Sequence, residues 1–248
     1  MPPGSRPARA ATERLPEGGG LNTGASLGRV DKTAVAQLPK PLLRGWTHLV
    51  SFPLMASLGA AMVLWAQVPL SGRLLLSAYV GGTAVMFGVS ALYHRVPWQP
   101  SARALMQKFD HSAIFLAIAG GYTPVAAVCL DGWWRTGVLL TAWLGAGVGI
   151  ILHWLPRVPR VVKGASYIVI SWTAVLTFPQ MVSRLGGVGF ALILAGGVCY
   201  TIGAACLAAN WPNPWPRVFG FHEVFHAFTV VAAGLHFAGI GYAVVPLL

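Results

Sequence analysis

Acidic side chains are scarce in this chain: six Asp and Glu stand against 17 Lys and Arg in 248 residues, and charged residues of both signs make up only 9%. An average soluble domain carries about 25% charged residues, so the shortage excludes an ordinary soluble globular class. Cysteine is scarce as well. Cys129, Cys199 and Cys206 fall inside apolar stretches without C-x-x-C spacing, which argues against a disulfide framework or a thiolate zinc site and leaves them as small buried hydrophobes. The first 40 residues hold no apolar core of signal-peptide length. Rich in Pro, Gly, Ser, Arg and Glu, residues 1–44 read as a disordered basic cytoplasmic tail rather than a cleaved leader.

What the chain has instead is apolar length. Hydrophobic residues make up 56% of it, and the mean hydropathy is +0.66. Runs at roughly 46–67, 72–93, 111–130, 136–155, 161–181, 188–208 and 222–246 each approach the ~20 residues that carry a helix across the bilayer. The connections are Val68 to Ser71, the polar stretch Arg95 to Lys108, Asp131-Gly132, Pro156 to Arg160, Gly186-Gly187 and Asn210 to Pro216. The expected fold is therefore an all-α integral membrane bundle of seven transmembrane helices over residues 45–248. Arg6, Arg9, Arg14, Arg29, Lys32, Lys40 and Arg44, then Arg95, Arg103 and Lys108, then Arg157, Arg160 and Lys163, then Arg217 mark one side, against Arg73, Arg135 and Arg184 on the other. The positive-inside tendency puts the N-terminus in the cytoplasm, the C-terminus outside and the protein in the plasma membrane. The net charge of +11 then belongs to the anionic inner leaflet, and no nucleic-acid partner is expected.

Five polar residues interrupt this apolar background at one depth. Ser90 and His94 share a face near the cytoplasmic end of the second run, Asp110 opens the third, and His222 and His226 share a face at the start of the seventh, because residues four apart align on a helix. Ionisable residues inside a membrane are costly and mark function. Three histidines suit a catalytic zinc ion, which takes three protein ligands and a water. Asp110 is the candidate general base for a water made acidic by the metal, and Ser90 the candidate group that holds the water or the oxyanion. Asp131 lies in an outer loop, and Glu223 points about 100° away from His222. Singly, each residue has a plainer reading. An isolated H-x-x-x-H arises by chance, Ser90 can bond the carbonyl four residues back, and Asp110 can cap a helix or pair with Lys108 or Arg103. Iron or manganese also suits three imidazoles.

The remaining histidines divide. His48, at the cytoplasmic start of the first run, is either a hydrogen-bonding support for the site or an interfacial residue. His111 points to another face and reads as packing, His153 as a headgroup-level residue. His236 lies about 15 Å beyond His226 and needs an interhelical partner. Pro53, Pro124 and Pro179 read as kinks, Gly145 and Gly149 as close packing, and Trp46, Trp98, Trp133, Trp134, Trp154, Trp211 and Trp215 as interfacial belts.

The segments SALYH from Ser90, KFDHSAIFLAIAGGYTP from Lys108 and HEVFHAFTVVAAGLHF from His222 resemble the hemolysin III family, the bacterial branch of the progestin and adipoQ receptor group that includes the adiponectin receptors. The resemblance runs from Thr47-His48 to the end of the seventh run. It implies a seven-helix bundle with a zinc ion near the cytoplasmic face, held by His94, His222 and His226, with Ser90 and Asp110 holding the water. Alkaline ceramidases in the wider group imply hydrolysis of a lipid amide by analogy. The expected function is thus a zinc-dependent hydrolase acting on a lipid amide or ester. The competing readings are a receptor-like or membrane-homeostasis protein with structural zinc, and a pore-forming hemolysin-like protein.

Overall fold

A computed structural model describes residues 40–248, so most of the expected tail lies outside the described residues. Helices dominate: α1 Trp46–Trp65, α2 Leu70–Arg95, α3 Pro100–Cys129, α4 Gly132–Trp154, α5 Arg160–Ser171, α6 Phe178–Ala209 and α7 Phe221–Gly239. A 3-10 turn, Thr173–Thr177, joins α5 to α6, and a π turn, Ile240–Val244, extends α7. Six segments are long and apolar enough to cross a membrane: α1 to α4, the stretch Arg160–Ala209, and Phe221–Leu247.

The 50-residue stretch Arg160–Ala209 is not one straight rod. It breaks at Thr173–Thr177 and again at Gly186, whose φ of 69° and ψ of 171° end the helical ladder. A positive φ is open to glycine because it has no Cβ. The first break is tied to α3, where the Tyr122 hydroxyl donates to the Ser171 carbonyl at 2.6 Å and accepts the Ala174 N–H at 3.4 Å. Backbone groups freed in an apolar interior need such partners.

Three expectations are corrected. The polar connection from Arg95 to Lys108 shrinks to four residues, because α3 starts at Pro100, with proline in its first turn where the missing N–H costs nothing. Ala, Arg, Leu, Met, Gln and Lys then extend the helix by propensity, invisibly to a search for apolar runs. Asp110 therefore lies ten residues inside α3. Pro179 stands in the first turn of α6 and kinks nothing, whereas Pro53 and Pro124 are inside α1 and α3. His153 is not among head groups. It is buried, bonds the Gly149 carbonyl at 2.9 Å and packs on Phe115 and Tyr167.

Small residues set the helix spacing. A Cβ on Gly82 would stand 2.5 Å from the Leu116 carbonyl oxygen, and one on Gly120 2.4 Å from the Ala78 oxygen, so α2 and α3 pack backbone to backbone. Lipid tails supply no hydrophobic drive between helices, which leaves close packing as the main attraction. Gly145 and Gly149 meet Ile170 and Phe115, in keeping with the close packing expected of them. The most extensive helix pairings are α2 with α3 and α6 with α7. Backbones of α2 and α7, by contrast, scarcely approach one another.

Candidate metal centre

Two helix ends build the site. The last turns of α2 present Ser90 and His94, both buried, on one face. At the start of α7, the Glu223 carboxylate reaches back to accept the Gly220 N–H at 2.9 Å, which satisfies a donor the helix leaves free. The same carboxylate pairs with Arg44, and Glu223 is 0% exposed. Residues just before α1 complete this brace, since the Leu42 and Leu43 N–H groups donate to the Arg217 and Val218 carbonyls at 3.0 and 3.1 Å. Within the described residues, the expected tail thus ends in a docked turn. With its first turn held in this way, α7 projects His222 and His226 toward His94.

One nitrogen from each of His94, His222 and His226 lies within 4.8 Å of the others. The His94 and His222 Nε2 atoms are 3.3 Å apart, and ring centroids are 4.6 Å for His222–His226 and 5.0 Å for His94–His226. Two nitrogens bound at 2.0–2.1 Å to one tetrahedral ion stand about 3.3–3.4 Å apart. The donor chemistry fits as well: His226 Nδ1 is buried without a hydrogen-bond partner, and neutral imidazole is the commonest nitrogen ligand of zinc. This group could hold a metal ion.

Asp110 faces Ser90 from α3, and Tyr93 and Tyr167 stand nearby. Its carboxylate is not a member of the three-nitrogen group. Neither alternative cation takes it: Lys108 lies over the Trp154 ring at 5.2 Å and Arg103 over Tyr93 at 5.8 Å. Cations gather at this end of the bundle. Partial burial, followed by the neighbouring Arg103, Arg44 and Arg95, holds the Lys40 ammonium below its usual range.

Sequence reasoning set one residue of this region aside and left a second open between support for the site and a plain interfacial role. Glu223 was set aside for its angle to His222, yet that angle lets it cap α7 and bind Arg44. His48 lies flat on His226, with centroids 3.9 Å apart and planes 6° from parallel. The H-x-x-x-H spacing carries no signal for either. Of the other histidines, His111 sits edge-on to His153 at 5.4 Å, and His236 finds its interhelical partner in the Ile193 carbonyl at 3.0 Å.

Comparison with known proteins places this geometry. The family described as haemolysin-III related matches residues 36–237. Hemolysin-3 of Bacillus cereus is 30% identical over 164 residues, covering 65% of this chain and 71% of that protein. The Hemolysin-3 homolog of Bacillus subtilis (strain 168) is 28% identical over 163 residues, covering 64% and 73%. A helical, multi-pass membrane bundle that gathers three histidines at one end is therefore a member of the haemolysin III family.

Proposed function

We propose that the protein is a zinc-dependent hydrolase of the plasma membrane that cleaves a lipid amide or ester at its cytoplasmic face. The observation that carries this reading is the grouping of three imidazole nitrogens within 4.8 Å, with the Asp110 carboxyl and Ser90 hydroxyl facing one another on the adjoining helices. His94, His222 and His226 would hold the ion. Zinc supplies Lewis acidity, which makes water acidic enough to attack at neutral pH and polarises a carbonyl. Asp110 takes the proton from the attacking water and returns it to the leaving group. Ser90 orients that water or donates to the oxygen that gains charge.

Seven crossings fit this reading better than six. A continuous helix of 50 residues would be about 75 Å long, more than twice the ~30 Å hydrocarbon core. Breaks at Thr173–Thr177 and Gly186 support two passes through Arg160–Ala209. With an odd count, the cationic end around Lys40, Arg44, Arg95 and Arg103 faces the cytoplasm together with the N-terminus, and the C-terminus is outside.

Metal analysis of the purified protein tests the first half: wild type should carry about one zinc, and His94→Ala and His226→Ala should carry none. Equal zinc in those variants refutes it. For catalysis, membrane lipid profiles of cells expressing wild type or Asp110→Asn should differ in one amide or ester class. Matching profiles with zinc retained point to the structural-metal reading instead.

A further inference from the structure

Six buried side-chain polar atoms among the described residues have no hydrogen-bond partner, and four of them belong to Thr47, His48 and His226. Leaving one such group unpaired costs about 1–3 kcal/mol. Their concentration in one layer is therefore more than accident. His48 stands out, since it is 3% exposed and both of its ring nitrogens are unpartnered. Its ring is stacked on His226 and meets the edge of Phe87 at 4.9 Å.

An apolar ring would fill this place at no polar cost. Phenylalanine stacks equally well on an imidazole and makes the same edge contact with Phe87. A histidine here leaves two nitrogens to satisfy, and in the free protein only one of them carries a hydrogen. One nitrogen can therefore donate and the other accept. We propose that His48 is the fourth functional imidazole of the centre, a positioning residue one of whose ring nitrogens binds an oxygen ligand beside His94, His222 and His226. The oxygen is that of a water in the resting protein or of a substrate carbonyl or hydroxyl. Stacking on His226 holds that ring in the orientation its nitrogen needs to meet its two partners. This inference rests on the metal reading above, and its test separates the two.

Full-length protein in lipid nanodiscs is loaded with cobalt in place of zinc. The visible absorption of the metal and its affinity, by chelator competition, are compared for wild type, His48→Phe, His48→Asn, His48→Gln and His226→Ala. Partners that orient a metal ligand typically contribute 10- to 100-fold in affinity. His48→Phe should lose about 10-fold or more in affinity and shift the cobalt spectrum, with an unchanged helical circular dichroism spectrum. Asn places an amide near the position of Nδ1 and Gln near that of Nε2, so one of the two should restore the spectrum and identify the working nitrogen. Adding a short-chain amide lipid should shift the wild-type spectrum but not that of His48→Phe if the oxygen is the substrate's. A shift seen in both leaves water as the oxygen held. Wild-type affinity and spectrum in His48→Phe would overturn the inference and reduce His48 to packing. Should that variant fail to fold, loss in both Asn and Gln variants would overturn it equally. Failure of wild type to bind cobalt, or binding unchanged in His226→Ala, strikes the metal reading itself.

Discussion

Glu223→Gln removes one charge from the brace at the start of α7 while keeping its shape. The cost can be worked from the structure. Glu223 is 0% exposed and the Arg44 side chain 18%, so the pair is mostly withdrawn from water. Breaking a buried ion pair costs about 3–5 kcal/mol, chiefly by stranding the surviving charge. Partial exposure of Arg44 lets its guanidinium regain some hydration, which favours the lower end, about 3 kcal/mol. Glu223→Ala also frees the Gly220 N–H, bonded at 2.9 Å, and should lose about 1 kcal/mol more. For a chain of this size, 3 kcal/mol corresponds to a midpoint about 6–12 °C lower. Replacing both partners by methionine should recover most of the loss, since an apolar pair strands nothing. Thermal unfolding in detergent, followed by circular dichroism, measures all three variants against wild type. A midpoint for Glu223→Gln equal to wild type, or a double variant less stable than either single one, would refute the reasoning.

Two further substitutions probe the packing. Gly120→Ala drives a methyl to 2.4 Å from the Ala78 carbonyl oxygen, a backbone atom that cannot swing aside. It should cost about 1–3 kcal/mol, whereas Gly147→Ala, which meets nothing within 4 Å, should be neutral or slightly stabilising. Equal midpoints for the two would contradict the close approach of α2 and α3. Tyr122→Phe removes the hydroxyl that holds Ser171 and Ala174. We expect a loss of about 1 kcal/mol and faster hydrogen exchange confined to residues 171–175. Exchange unchanged there would show that the break needs no anchor.

Hydropathy and the four-residue period made much of this molecule legible. Runs of about 20 apolar residues located α1, α2 and α4, and the alignment of Ser90 with His94 and of His222 with His226 followed from helical spacing. What escaped was set by interactions with no local pattern. No long apolar run marks Pro100 to Lys108 as helix, because those roughly two and a half turns are a polar extension stabilised by propensity. Ideal helical angles set Glu223 apart from the three-nitrogen group, but they carry no information about Arg44, 179 residues away in sequence. His153 looked interfacial from its place at the end of a run, yet it is enclosed by Phe115, Tyr167 and His111. That enclosure depends on how α3, α4 and α5 meet.

His94 rides with the α2–α3 hairpin and His222 with the α6–α7 hairpin, and the backbones of α2 and α7 scarcely meet. The triangle of imidazoles is thus drawn between hairpins that meet there through side chains, since Met86 and Phe87 of α2 share one buried cluster with Ala113 of α3 and Ala233 of α7. Over a ~30 Å helix, a tilt of about 3° displaces one end by roughly 1.5 Å, enough to open or close a triangle of this size. The spacing of the nitrogens is therefore set by how tightly that cluster of side chains locks the two hairpins together.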